Sequence, residues 1–212
     1  MLKYCFKYIF YLFVLLDFST VNAGSYEDYF RALKIDNAGA VSDLLARGFD
    51  PNAPDEKGQT GLHLAVRDGS PKVTALLLAH PALRVDAPNA NDETPLMLAA
   101  LKGNLEASQR LLDRGAAVNR PGWTPLHYAA TGPDPRLVSL MLERGAAIDA
   151  PSPNGSTALM MAARYGSDDS AMILLAQGAS TVVRNQKDMN AADFARSVGR
   201  DALAAKLLPA PR

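Results

Sequence analysis

Residues 94–119 read TPLMLAALKGNLEASQRLLDRGAAVN, and much of this stretch occurs again elsewhere in the chain. Its opening, TPLMLAA, returns with changes as TGLHLAV at Thr60, TPLHYAA at Thr124, TALMMAA at Thr157 and NAADFAR at Asn190. In chain order, the five starts are 34, 30, 33 and 33 residues apart. A fixed period near 33 residues is typical of proteins built from stacked repeats.

Pairs of large apolar residues repeat in the same register. The pairs begin at Leu44, Leu77, Leu111, Met141, Leu174 and Leu207. Consecutive pairs are 33, 34, 30, 33 and 33 residues apart. Because two different markers share one register, we predict six units. They cover roughly residues 26–52, 53–86, 87–119, 120–149, 150–182 and 183–208, and residues 209–212 form a short tail.

Each unit contains the start and stop signals of two short helices. Threonine is favoured at a helix N-cap, and proline fits the first helical position. We therefore predict helix starts after Thr60, Thr94, Thr124 and Thr157. A glycine stands nine residues after four of the starts, and we expect it to end the first helix in the left-handed conformation. These glycines are Gly69, Gly103, Gly166 and Gly199. The leucine pairs lie on a second helix, which a glycine closes in the same way at Gly48, Gly115, Gly145 and Gly178.

This succession of helix, helix and hairpin-like loop resembles the ankyrin repeat. The family's pattern, T-P-L-H-x-A-A, then G, L-L and G-A-x-x-N, is matched by Thr94 to Asn119. The resemblance covers roughly residues 26–208 and implies an all-α solenoid of about six units. In the first unit, Glu27 replaces the threonine and Asp36 the first glycine, so we interpret the end units as caps.

Two of the three histidines occupy one repeat position. His63 and His127 stand where other units have Met97 and Met160. A metal ligand or catalytic base would not be replaceable by a thioether, so we assign these histidines to the scaffold. In the ankyrin family this histidine usually forms hydrogen bonds within and between repeats. The third histidine, His80, is predicted in a surface loop.

The sequence lacks the motifs of the common enzyme classes. It has no phosphate-binding P-loop, no Cys or His cluster at metal-ligand spacing and no serine in a nucleophile-elbow context. We therefore expect no enzymatic activity, no cofactor and no bound metal. The 22 basic and 22 acidic residues give a formal net charge of zero, and no basic patch stands out. Nucleic acid is accordingly not an expected partner.

The N-terminus has the composition of a secretory signal peptide. Lys3 and Lys7 flank an apolar run that extends from residue 8 to 16, and Val21-Asn22-Ala23 fits a cleavage site. We predict a signal peptide at residues 1–23, and an uncleaved anchor is the alternative. The run is shorter than the roughly 20 apolar residues of a membrane span, so we expect no stable span after cleavage.

Cysteine usage agrees with export. The single cysteine, Cys5, lies inside the leader, so the mature chain would contain none and could form no disulfide. The whole pattern resembles exported bacterial ankyrin-repeat proteins, and we expect a monomer in the bacterial periplasm.

A binding surface is expected on the concave side of the solenoid, where loop tips and first helices meet. Ankyrin domains generally bind proteins there, so the resemblance implies a protein-binding module. The residues predicted to line this face are Arg67, Leu101, Lys102, Arg164 and Tyr165.

The loop before Thr124 is shortened and contains the only tryptophan. It reads PGWT where the equivalent loops read PDEKGQT, PNANDET and PSPNGST, so three residues are missing. Trp123 could cover apolar surface that the short loop leaves open. It could equally be a docking point for a partner, because tryptophan is enriched among interface hot spots.

Three functions are compatible with these patterns. The first is a scaffold or stabiliser that binds an exported protein. The alternative is an inhibitor or immunity-type protein that blocks an exported hydrolase or toxin. The third, an enzyme, is disfavoured because the catalytic motifs are missing. The identity of the partner does not follow from the residues.

Overall fold

The computed structural model describes residues 24–208, and these residues form twelve helices in six successive pairs. The helices are α1 (24–34), α2 (Ala38–Ala46), α3 (Gly61–Asp68), α4 (Pro71–Ala79), α5 (Pro95–Leu101), α6 (Leu105–Asp113), α7 (Pro125–Thr131), α8 (Arg136–Glu143), α9 (Ala158–Tyr165), α10 (Asp168–Ala176), α11 (Ala191–Arg196) and α12 (Asp201–Lys206). Between residues 24 and 208 there is no strand, only an isolated antiparallel bridge between Pro54 and Thr60. The predicted all-α repeat solenoid is confirmed; the predicted signal peptide and tail lie outside the described residues.

The first helices begin where the threonines predict. The N-cap residues of α3, α5, α7 and α9 are Thr60, Thr94, Thr124 and Thr157. Proline occupies the first turn of α5 and α7, where its missing N–H costs no hydrogen bond. In α11, Asn190 takes the threonine's place, and its side chain accepts a hydrogen bond of 3.0 Å from the backbone N–H of Asp193.

The core consists of two rows of helices. The first helices α3, α5, α7, α9 and α11 pack on one another in sequence, and the second helices α2, α4, α6, α8 and α10 form the other row. The alanines on the first helices have no exposed surface: Ala99, Ala100, Ala129, Ala130, Ala162 and Ala163. Such small side chains allow the helices of neighbouring units to approach closely, as the sequence predicts.

A ladder of side-chain hydrogen bonds joins the loops of successive units. Asn52 and Asn119 each bond to backbone groups about one repeat later, in the segment that follows the second helix. The carboxylates of Asp86 and Asp149 do the same, accepting from the backbone N–H groups of Ala117 and Ser180. Each of these side chains satisfies backbone groups of the next unit, so the ladder fixes the distance between units.

The expected left-handed glycines are present at three of the four first-helix ends. Gly69, Gly103 and Gly199 have φ angles of 73°, 72° and 76°. The prediction for Gly166 is wrong, because its φ is −88° and its backbone is extended. A β-carbon at Gly166 would instead overlap the backbone carbonyl oxygen of Ala130 in the preceding unit. Glycine is needed here for close approach of two backbones rather than for its conformation.

Two helix ends are completed by arginines of the following unit. The guanidinium of Arg200 donates hydrogen bonds of 3.0 Å to three carbonyls at the end of α9, those of Ala162, Ala163 and Gly166. The second helix of the second unit has no closing glycine, and there Arg114 Nε donates to the carbonyl of Leu78 at 2.9 Å. Both arginines take the place of a left-handed cap, because the last carbonyls of a helix need donors.

Asp36 performs a comparable task at a helix start. It stands at the first-glycine position of the first unit and adopts a left-handed φ of 51°. Its carboxylate accepts hydrogen bonds from the backbone N–H groups of Lys72 and Val73, at 3.3 and 2.9 Å. These groups lie in the first turn of α4, where a negative charge is favourable.

Candidate functional site

Side chains of three successive units enclose a groove of about 210 Å³ on the first-helix side of the molecule. We call it the central groove, and its lining residues are Leu101, Trp123, His127, Tyr128, Thr131 and Met161. Leu101 ends α5, Met161 lies on α9, and the remaining four belong to the unit between them. The groove thus brings together Leu101 and Trp123, two of the residues that the sequence predicts to bind a partner.

Trp123 forms one wall of the central groove. Its indole meets the ring of His127 edge to face, with 5.3 Å between the centroids and an interplanar angle of 81°. The shortened loop places Trp123 directly before the N-cap Thr124, and its side chain stays partly exposed. Trp123 therefore covers His127 and at the same time presents apolar surface to the groove.

Tyr128 supplies the polar edge of the groove. Its hydroxyl donates a 3.1 Å hydrogen bond to Glu93 Oε1, and the other carboxylate oxygen of Glu93 accepts from Asn89 at 2.9 Å. Burial, followed by the charge of Glu93, raises the pKa of Tyr128, so the phenol stays protonated near neutral pH. Apart from the hydroxyls of Tyr128 and Thr131, which are both hydrogen-bonded, the groove has mainly apolar walls.

The other predicted binding residues lie outside the lining of the central groove. Arg67 and Lys102 occupy the ends of the first helices of the second and third units, and Arg164 and Tyr165 end α9. Tyr165 is 57% exposed, whereas Arg164 is partly buried. Arg67 is already paired, since its guanidinium forms two hydrogen bonds to Asp68, at 2.7 and 2.9 Å.

Three lining residues escaped the sequence prediction: Tyr128, Thr131 and Met161. Tyr128 and Met161 stand four residues after the helix-start threonine, a position that Leu64 and Leu98 fill as buried residues in earlier units. In the sequence, the change from leucine to a larger or longer side chain is the feature that could have identified these two residues as part of the groove. Both side chains are partly exposed.

The two buried histidines connect neighbouring units. Nδ1 of His63 accepts from the backbone N–H of Thr60 at 3.1 Å, so the ring proton resides on Nε2, which donates to the carbonyl of Glu93 at 3.0 Å. His127 repeats the pattern with Thr124 and Ser156, at 3.2 and 3.0 Å. Burial lowers the pKa of both histidines.

In two other units a methionine replaces the histidine and forms one of its two hydrogen bonds. The sulfur of Met97 accepts from the backbone N–H of Thr94, and that of Met160 from Thr157, both at 3.4 Å. A thioether accepts but cannot donate, so it reproduces the bond within the unit and omits the bond between units.

The described residues contain neither of two features that would indicate another kind of site. From residue 24 to 208, no group of three or more His, Cys, Asp or Glu side chains is placed to hold a metal ion. In the same range, every helix is too short or too polar to cross a membrane.

The stacked geometry can be compared with known proteins. A family model described as ankyrin repeats (3 copies) matches residues 30–122 and 118–185, which is more than half of the chain. The chain belongs to the ankyrin-repeat family. The ankyrin repeat domain of Bcl-3, a member of the IkappaB protein family, has the same fold, with a TM-score of 0.66 and 30% identity. The similarity covers 79% of this chain and 77% of that chain.

Two similar eukaryotic proteins are much longer than this chain. The nuclear factor NF-kappa-B p105 subunit of Gallus gallus is 32% identical over 155 residues, which are 70% of this chain and 16% of the relative. The glycerophosphocholine phosphodiesterase gde1 of Schizosaccharomyces pombe is 38% identical over 95 residues, 42% of this chain and 8% of the relative. The ankyrin chain thus spans less than a quarter of the length of these relatives, and they do not support the expected resemblance to exported bacterial proteins.

Membership in the ankyrin family supports a binding role. Ankyrin repeats generally mediate protein–protein interactions, and the fold is typically a non-enzymatic binding module. The family model that matches this chain describes ankyrin repeats, and no enzymatic domain is shown within the matched residues.

Proposed function

We propose that the chain is an exported protein-interaction module that binds its partner in the central groove. The observation that carries this proposal is the joining of Leu101, Trp123 and Met161 from three different units around one partly open apolar depression. Partly exposed apolar and aromatic side chains that surround a depression are typical of interface anchor sites. A partner seated there would contact three units at once.

The repeat-motif residues serve the scaffold in this proposal. The threonines cap helices, the glycines permit turns or close approach, and His63 and His127 bond one unit to the next. These roles lie within the solenoid, so in this proposal the specificity of binding resides in the groove residues that differ from unit to unit.

Replacing Leu101 by arginine should abolish binding to the partner, because the new charge would stand in an apolar depression that the partner has to fill. The measurement is quantitative capture of proteins from the native host by the immobilised chain. A partner of this groove is recovered with the wild type and lost with Leu101→Arg.

The matched control is Val182→Arg, which introduces the same charge at an aliphatic residue that is 64% exposed and does not line the groove. We expect the control to capture the partner as the wild type does. Equal recovery of every captured protein with Leu101→Arg would show that the groove is not the binding site.

Export is the second part of the proposal, and it rests on the lysine-flanked apolar run and the Val21-Asn22-Ala23 ending. We expect the protein isolated from its native host to begin at Gly24. Intact-mass spectrometry provides the test, and a mature protein that retains residues 1–23 would argue against cleavage. The bacterial periplasm as destination remains a prediction.

A further inference from the structure

A cationic side chain lies beside the central groove. Arg164 follows Met161 by three residues on α9, so both side chains project from the same side of that helix, about 5–6 Å apart at their β-carbons. The guanidinium carbon lies 5.2 Å from the ring centroid of Tyr165 and 6.0 Å from that of Phe194. Since Phe194 lies on α11, the two rings hold the guanidinium between α9 and the sixth unit, next to the groove but outside its lining.

Arg164 has no anionic partner among residues 24–208. Its Nη1 donates to the hydroxyl of Ser197 at 3.2 Å, and its Nε is buried without a hydrogen-bond partner in this part of the chain. Apart from the bond to Ser197, its terminal nitrogens form no hydrogen bond within the described residues. These nitrogens are therefore suited to receive a carboxylate from another molecule.

At the same repeat position, the second unit has an arginine whose guanidinium is paired with a carboxylate. Arg67, like Arg164, stands seven residues after the helix-start threonine, but the next residue is Asp68 rather than Tyr165. Arg67 bonds to both carboxylate oxygens of Asp68 and holds the pKa of that carboxyl below its usual range. The two arginines thus share a register and differ in the presence of an internal carboxylate.

Glu93, the acid bonded to the groove residue Tyr128, forms no ion pair with Arg164 within the described residues. Both of its carboxylate oxygens accept hydrogen bonds from neutral side chains, those of Tyr128 and Asn89. Lys102, which follows the lining residue Leu101, is exposed and likewise forms no salt bridge in that range. Arg164 and Lys102 are therefore two cations near the groove that have no carboxylate partner within residues 24–208.

From this arrangement, we infer that the partner presents an acidic–apolar segment, with a large apolar side chain in the central groove and an Asp or Glu carboxylate on Arg164. This inference rests on the proposed function of the groove. The guanidinium reaches beyond the β-carbon of Arg164 toward Phe194 and Ser197 of the sixth unit. The acid should accordingly stand several residues from the apolar anchor, on the side of the sixth unit.

Selection from a phage library of random twelve-residue peptides on the full chain tests this inference. We expect enriched peptides to combine an aromatic or large aliphatic residue with Asp or Glu at a constant spacing. A synthetic, fluorescein-labelled copy of the most enriched peptide should bind Arg164→Gln at least about tenfold more weakly than the wild type, by fluorescence polarisation. Arg67→Gln is the matched control and should change the affinity less than about twofold, because that arginine is already paired.

Changing the acid of the peptide to its amide completes a double-mutant cycle. The amide should weaken binding to the wild type about tenfold and have little further effect on Arg164→Gln. Should Arg164→Gln fail to fold, as judged by circular dichroism, Arg164→Lys takes its place in the cycle, since it keeps the charge and loses the planar two-point contact.

The outcomes separate the inference from the proposed function. Peptides that are lost with Leu101→Arg but show no acidic residue, or bind Arg164→Gln as tightly as the wild type, overturn the inference and leave the groove as the binding site. Peptides that bind Leu101→Arg unchanged overturn the proposed function as well.

Discussion

Replacing Gly166 by alanine should destabilise the protein by about 3 kcal/mol or more, although alanine accepts the φ of −88° without strain. The added β-carbon would overlap the carbonyl oxygen of Ala130, which belongs to the backbone of the neighbouring unit and cannot rotate away. The fourth and fifth units would have to move apart, and their buried alanines would lose contact. Urea unfolding, followed by circular dichroism, measures the loss.

Gly199→Ala is the control for this variant. Gly199 has a left-handed φ of 76°, and a β-carbon there would meet no atom within 4 Å. Replacing it by alanine should lower the free energy of unfolding only by the penalty for a left-handed φ in a residue with a β-carbon, about 1–2 kcal/mol. A greater loss of stability in Gly199→Ala than in Gly166→Ala would contradict the close-approach explanation.

Trp123→Ala should weaken partner binding by about 2 kcal/mol or more, a loss of roughly thirtyfold in affinity. The substitution removes one wall of the central groove. The free energy of unfolding should change by less than about 1 kcal/mol, because the side chain is partly exposed and the hydrogen bonds of His127 do not depend on it. Affinity and urea unfolding have to be measured on the same variant, with the partner that depends on Leu101.

The opposite pattern would assign Trp123 to the scaffold. A stability loss of about 3 kcal/mol, as for a buried aromatic, with unchanged affinity of the folded protein would make the tryptophan a cover for the shortened loop. Trp123→Phe serves as the control, since it keeps an aromatic ring against His127 and should retain most of both properties.

The fold was predictable because every unit repeats the same packing positions. Each threonine, alanine pair and leucine pair was seen several times in one register, and such agreement is stronger than any local propensity. The conformation of Gly166 was not predictable, because glycine is selected both for a left-handed φ and for close approach of backbones. Gly61 is a similar case: the hydroxyl of Tyr29 occupies the space that Pro95 and Pro125 fill in other units.

The site was predictable in part. Leu101 and Trp123 were identified from the helix end and the shortened loop, whereas Tyr128, Thr131 and Met161 were not. Tyr128 and Met161 stand at positions that leucine fills in the core of other units, whereas Thr131 shares the register of Leu101. Which of these side chains border one groove depends on packing between units, which the residue types do not reveal.

The helix ends that are completed from outside their own unit restrict how this protein can evolve. Arg114 finishes α4, Arg200 finishes α9, and Asp36 begins α4, so each acts across a boundary between units. Genes for repeat proteins grow and shrink when recombination copies or deletes whole units. In this chain, such an event at one of these boundaries would separate a helix from the residue that completes it. These contacts therefore favour keeping the order of the units, and they make substitutions inside the units the easier route to a new specificity.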